Sequence, residues 1–121
     1  MNARPITITS GDELFLKQVI DLVEKGMGDP DFNIDLMAGS MNMARSTFYK
    51  KFKSLTNMTL VEFIRDMRLQ RSKQYMDAGE TNISGIAYAV GFNDAKYFST
   101  CFREKYNLTP TEYLKAHVKT I

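Results

Sequence analysis

Hydrophobic positions along this chain recur mostly at intervals of three and four residues, the spacing that gives an α-helix one apolar face. Phe15, Val19, Leu22 and Val23 mark a first helix, and Gly26 and Gly28 mark its end. Ser10 followed by Glu13 has capping-box spacing, in which each side chain takes an orphan backbone N–H at the helix start. Asp29-Pro30-Asp31 breaks the pattern, after which Asn33 is placed to cap a short helix carrying Leu36, Met37 and Met41. The chain then turns at about Asn42 and Met43, and Arg45 to Ser54 reads as a helix burying Phe48 and Phe52 at i, i+4. Thr59 and Glu62 form a second capping box and open the longest helix, Leu60 to about Ala78, stopped by Gly79. Its apolar and small positions are Leu60, Val61, Phe63, Ile64, Met67, Leu69, Ser72, Tyr75 and Met76. They span roughly 240° of a helical wheel, against the ~100° stripe of a helix resting on one partner. This helix is therefore expected to pack on two sides.

The second half repeats the first. At an offset of 49, Asn33-Ile34 meets Asn82-Ile83 and Ala38 meets Ala87; from the next helix onward the offset is 50. There Phe48, Phe52, Asn57, Thr59 and Glu62 meet Phe98, Phe102, Asn107, Thr109 and Glu112. One inserted residue near Asn93 accounts for the change. Each copy has the order short helix, tight turn, helix with a Phe-x-x-x-Phe core, then a Thr-x-x-Glu cap; two copies are too few for a solenoid.

With 121 residues, the chain is the size of one domain, and 44% hydrophobic with 25% charged residues is ordinary globular composition. One cysteine, Cys101, excludes an internal disulfide and suits a reducing compartment. No apolar run reaches the roughly 18 residues of a membrane span, and Met1 to Ser10 lacks a signal-peptide core, so a cytoplasmic location without membrane contact is expected. The net charge of +2 hides a strongly uneven distribution. Residues 44–73 hold eight basic residues (Arg45, Lys50, Lys51, Lys53, Arg65, Arg68, Arg71, Lys73) against Glu62 and Asp66, a balance of +6; residues 1–43 hold three against seven, a balance of −4.

Two short helices joined by a tight turn make a helix-turn-helix, whose second helix can enter a major groove if it buries one stripe and exposes hydrogen-bonding side chains beside cations. In the first copy Phe48 and Phe52 face inward, Arg45, Ser46, Tyr49 and Lys50 are left outward, and Lys51 and Lys53 flank them. In the second, Asp94 or Asn93 caps the helix, Phe98 and Phe102 form its core, and Lys96, Ser99, Thr100 and Arg103 remain for DNA. The phenylalanines read as core rather than a base-stacking platform, Cys101 as a small buried hydrophobe, and His117 carries no assigned role.

At this point the residues resemble the AraC/XylS-type DNA-binding domain over about Glu13 to Leu114. The resemblance rests on Ala44 to Lys53 (ARSTFYKKFK), Phe63 to Leu69 (FIRDMRL), Ile86 to Ser99 (IAYAVGFNDAKYFS), Phe102-Arg103 and Thr109-Pro110-Thr111-Glu112-Tyr113. It implies an all-α, seven-helix domain of two helix-turn-helix subdomains on a long central helix, with parallel recognition helices reading adjacent major grooves. The implied division is a 1–10 tail, a first subdomain 11–57 with its helix-turn-helix at about 34–55, a bridging helix 60–78, and a second subdomain 82–115 with its helix-turn-helix at about 83–106. The implied base-reading positions are Ser46, Tyr49 and Lys50 with Arg45 close by, and Ala95, Lys96, Ser99 and Thr100; Ala95 offers only apolar contact. Arg4 to Ser10 resembles the linker before the output domain of hybrid two-component regulators.

The expected function is sequence-specific binding of double-stranded DNA in bacterial transcription regulation, as an activator. The expected partners are the upstream sensor domains of a longer chain, itself compatible with a membrane anchor, and RNA polymerase. No enzyme and no cofactor are expected, since one histidine, one cysteine and no nucleophile elbow leave no triad. Asp29-x-Asp31-x-Asn33-x-Asp35 imitates an EF-hand start, but Ile34 stands where glycine is needed and Ser40 where a bidentate glutamate belongs. The alternative from another class is a helical protein-interaction module docking a partner on the wide arc of the long helix.

Overall fold

The computed structural model describes residues 9–117. Within them lie seven helices: α1 (Ser10–Gly26), α2 (Ile34–Ser40), α3 (Arg45–Thr56), α4 (Leu60–Asp77), α5 (Ile83–Ala89), α6 (Ala95–Tyr106) and α7 (Pro110–His117). The all-α architecture is as expected. Residues 1–8 of the expected tail lie outside the described residues.

Local chemistry accounts for most of the boundaries. Contrary to the Ser10–Glu13 expectation, α1 is capped one residue earlier. The Thr9 hydroxyl accepts the Asp12 N–H at 3.0 Å, and the Asp12 carboxylate accepts the Thr9 N–H at 3.1 Å. The two hydroxyl-x-x-acid registers overlap in the sequence, and the one used makes Ser10 the first helical residue. Asn33 caps α2 through the Leu36 N–H. The Asp29 carboxylate accepts the Asp31 N–H at 2.9 Å, so the EF-hand-like string does local turn work. α3 runs two residues past the expected Ser54 and ends at Asn57, whose φ of 58° puts it in the left-handed region that asparagine tolerates. The equivalent Asn107, at φ 63°, ends α6. Gly79 closes α4 in a Schellman arrangement, with the Glu80 N–H on the Tyr75 carbonyl and the Gly79 N–H on the Met76 carbonyl, both at 3.0 Å.

The internal repeat is visible in the fold. Capping boxes at Thr59–Glu62 and Thr109–Glu112 have the same pair of distances, 2.8 and 3.1 Å. In both, hydrogen bonds from the threonine hold the glutamate carboxylate below its ordinary pKa. The turn between α2 and α3 is closed by the Met43 N–H on the Ala38 carbonyl; that between α5 and α6 is closed by the Phe92 N–H on the Ala87 carbonyl. The residue inserted in the second copy brings Asp94 to the N-cap of α6, where the first copy has Ala44 at the N-cap of α3 with no side-chain cap.

Two hydrophobic cores result, and α4 belongs to both. Leu60 and Ile64 join Phe15, Val19, Val23, Met27, Met37, Phe48 and Phe52 in the first core. Leu69 and Met76 join Ile86, Val90, Phe92, Phe98, Cys101, Phe102 and Tyr113 in the second. Each buried phenylalanine contributes roughly 1.5–3 kcal/mol relative to exposure, and the rings interlock at centroid distances of 5.5 Å for Phe15–Phe48 and 5.8 Å for Phe98–Phe102. The wide arc of α4 is thus taken up by two packing partners placed one after the other along its length. Two of its expected members do not join: Val61 is 71% exposed and Tyr75 37% exposed. Buried Ser72 satisfies itself by donating to the Leu69 carbonyl at 2.6 Å. The Tyr113 hydroxyl donates to Asp77 Oδ1 at 2.7 Å, tying α7 to the end of α4.

Candidate nucleic-acid interface

The roll of α3 is set by Phe48 and Phe52, both essentially inaccessible. That leaves Arg45, Ser46, Tyr49, Lys50 and Lys53 exposed. Arg45 meets Asp35 of α2 at 3.5 Å with both side chains about two-thirds exposed, a pairing weak enough to give way to another anion. Lys51 goes elsewhere. It is half-buried, with Nζ 4.7 Å from the centroid of Phe15 on α1.

The same logic orients α6. Phe98, Cys101 and Phe102 are buried, Lys96, Thr100 and Arg103 are exposed, and Ala95 and Ser99 are half-buried at the edge of the second core. The Thr100 hydroxyl donates to the Lys96 carbonyl at 3.2 Å, a bond that leaves its oxygen free to accept another. Asp94 Oδ1 accepts the Lys96 N–H at 2.9 Å and sets a carboxylate at the start of α6.

The basic block of the sequence divides once it is folded. Besides Lys51, Lys73 holds Nζ 4.4 Å from the Tyr106 ring and 5.3 Å from Tyr113. The Arg68 guanidinium is spent on the carbonyls of Met27 and Asp29. Arg45, Lys50 and Lys53 keep their charge toward solvent, and Arg65 and Arg71 are half-exposed. Three of the eight cations therefore serve packing, a role that composition along the chain does not reveal.

Between α3 and α6 the surface is floored by α4. A groove of about 770 Å³ runs between the start of α3, where Ser46, Tyr49 and Lys50 line it, and the first turns of α4, where Leu60, Val61 and Ile64 do. A second depression lies between α4 and the turn of the second copy, lined by Arg65, Asn93, Asp94 and Tyr97. Val61 and Arg68 border both, so the outward residues of α3 and the start of α6 open on one side of the molecule. Val61, Arg65 and Tyr97 are not among the DNA-contacting positions that the sequence points to. The neighbouring Tyr97 hydroxyl raises the pKa of Arg65 above the ordinary guanidinium value. The signal for Val61 is an apolar residue on a helix whose other aliphatic positions are taken up by the two cores.

A family model described as a helix-turn-helix domain matches residues 37–116. The protein named Histidine kinase P4 of Formosa agariphila is 42% identical over 108 residues, which cover 89% of this chain and 8% of that protein. An AraC-type transcriptional regulator structure from Chromobacterium violaceum matches with a TM-score of 0.82 at 22% identity, covering 93% of this chain and 100% of that one. The DNA-binding domain of AdpA, solved in complex with a target DNA, matches with a TM-score of 0.76 at 20% identity, covering 84% and 90%. These two structural likenesses establish the fold. The chain spans less than half the length of each of eight curated relatives. Among the described residues no helix is long and apolar enough to cross a membrane.

Proposed function

The chain belongs to the AraC-type helix-turn-helix family, and from that membership we propose that it binds duplex DNA sequence-specifically, α3 and α6 entering adjacent major grooves. The observation that carries this reading is the pairing of two like units on one helix, each presenting hydrogen-bonding side chains on the side opposite its buried phenylalanines. In the first unit Arg45, Ser46, Tyr49 and Lys50 are the base-edge group and Lys53 a phosphate contact; Lys51 stands behind them as support. Ala44 leaves the first amides of α3 without a side-chain partner, which favours the approach of a phosphate there. In the second unit Lys96, Ser99 and Thr100 read bases, Ala95 meets a thymine methyl, and Arg103 holds phosphate. Arg65, flooring the interval between the units, neutralises a phosphate between the two half-sites.

The wider role is that of the cytoplasmic output domain of a longer regulator, brought to promoters by sensor domains and activating there through RNA polymerase. The histidine kinase name of the Formosa relative, and its much greater length, support a sensor-linked parent. Selection of bound sequences from random duplexes tests the core of the reading. The expected result is a bipartite motif with half-sites about one helical turn apart, and about five inserted base pairs between them, half a turn, remove two-unit binding. Enrichment of no motif, or indifference to the insertion, refutes it.

A further inference from the structure

Taken alone, each core hangs on its own end of α4, with bends at Asn57–Thr59 and Gly79–Asn82 about which either unit is free to swing. A contact remote from both bends removes that freedom. The Arg68 Nε donates to the Met27 carbonyl at 2.8 Å and Nη2 donates to the Asp29 carbonyl at 2.9 Å. These oxygens lie at and just past the end of α1, where helical carbonyls lack partners. The turn of the second unit rests on the same spot. Gly91, buried and at φ +108°, comes so close that a Cβ there would run into the Met27 carbonyl oxygen and lie 2.6 Å from Arg68 Nε. A Cβ on Gly28 would sit 3.5 Å from the Ala89 carbonyl. Met27 belongs to the first core and Phe92 to the second, so this contact joins the two. The corresponding turn of the first unit has exposed Asn42, at φ 53°, in the place of Gly91.

We infer that Arg68 is a positioning residue: with the Met27–Gly91 contact it pins the turn of the second unit to the end of α1 and so fixes the distance and phase of the two DNA-reading helices. The inference rests on the DNA-binding reading for its consequence, but the pinning itself does not. Two units held rigidly gain from each other, because once one is bound the other faces its half-site at a high effective concentration. Loosening the pin lowers that concentration and blurs the preferred spacing, while each unit alone keeps its contacts.

The test uses Arg68→Met, which removes both hydrogen bonds, and Arg68→Lys, which restores one. Spin labels on Ser54→Cys and Glu104→Cys, both exposed positions on α3 and α6, in a Cys101→Ala background, report the interval between the helices without DNA. The expected distance distribution is narrow with Arg68, broad with Met and intermediate with Lys. An unbroadened distribution in a cooperatively melting Arg68→Met chain overturns the inference. On DNA, Arg68→Met should weaken binding to the selected bipartite site about tenfold, change binding to a single half-site less than about twofold, and flatten the penalty for one or two inserted base pairs. Equal losses on half-site and bipartite DNA, or an unchanged spacing profile, overturn it as well. If the parent chain binds no duplex, the functional reading falls, and the label distances alone decide the pin.

Discussion

Lys51 and Lys53, two residues apart on α3, should respond oppositely to neutralisation. Lys53 is exposed on the outward side, whereas Lys51 lies over the Phe15 ring at 4.7 Å and near Asp12, whose pKa is lowered by its hydrogen bonds with Thr9 first and by the Lys51 charge last. If Lys53 neutralises one phosphate, Lys53→Gln reduces the slope of log affinity against log salt by about 0.9. Between 50 and 200 mM salt that slope corresponds to about 3.5-fold, so the affinity deficit of the variant should shrink by that factor as salt rises. Its thermal stability should stay within about 0.5 kcal/mol of the parent, the usual range for a surface change. Lys51→Gln gives the converse. A cation over an aromatic face is worth about 0.5–1 kcal/mol at such a site, so the midpoint of melting should fall by about 2–6 °C, with the salt slope unchanged. Fluorescence anisotropy on a labelled bipartite duplex at four salt concentrations, with melting followed by circular dichroism, measures both quantities. A full loss of slope in Lys51→Gln with an unchanged melt would show that Lys51 leaves Phe15 to contact DNA, and that the packed position is not the one used.

Lys50→Ala should cost about 1–3 kcal/mol on the selected site and flatten the preference at one or two positions, measured by anisotropy on single-base variants; an equal loss on random duplex would assign Lys50 to phosphate. Arg65→Ala should lower the salt slope by about 0.9 without altering the selected motif, and a changed motif would place Arg65 on a base instead. Asp94→Asn keeps a good N-cap on α6 while removing a carboxylate from the proposed DNA-facing side, so affinity for random duplex at low salt should rise, with unchanged melting; unchanged or weaker binding refutes the placement. Burial, and then the hydrogen bond to Asp77, push the Tyr113 hydroxyl up to about 12. A raised folded-state pKa means stability present below the ordinary value of 10.0 and lost as pH climbs toward about 12. Tyr113→Phe should abolish that alkaline step in melts from pH 9 to 12, at a neutral-pH cost of about 1 kcal/mol for the lost bond; an undiminished step would place the titration elsewhere.

What the amino-acid order reveals most directly here is what neighbours in sequence decide among themselves. Asn33 caps α2 through Leu36, and both Thr-x-x-Glu boxes close within four residues, so these ends are legible as local chemistry. The i, i+4 phenylalanine pairs fix the roll of α3 and α6 because no other stripe on either helix has comparable apolar bulk. Where two local solutions overlap, as at Thr9–Asp12 and Ser10–Glu13, the spacing alone does not choose. The fate of the cations is harder still. Arg68 finds the Met27 carbonyl 41 residues away and Lys73 finds Tyr106 and Tyr113 on later helices, so a helical wheel sees only a basic block. Val61 misleads in the opposite sense: it continues an apolar arc, yet it lies on a side of the first turn of α4 that neither core covers, and so it faces outward.

The two copies have diverged in ways that follow from one packing fact. The turn of the second unit lies on the end of α1, and a side chain there would collide with Met27, so glycine holds position 91; the matching turn of the first unit faces solvent, and Asn42 suffices for its left-handed backbone. The second unit reaches its start of helix through one extra residue, which brings Asp94 to the cap and stabilises α6 from its own side chain. The first has Ala44 there and leaves the amides of α3 open, beside the exposed Arg45 and Lys50. A carboxylate cap favours a self-sufficient helix but opposes phosphate at that end; an open cap costs stability until an anion supplies the missing partner. On the proposed DNA-binding reading, these grounds make the first unit electrostatically the stronger holder of DNA, and the second, buttressed against it, the one that adds reading at a fixed remove.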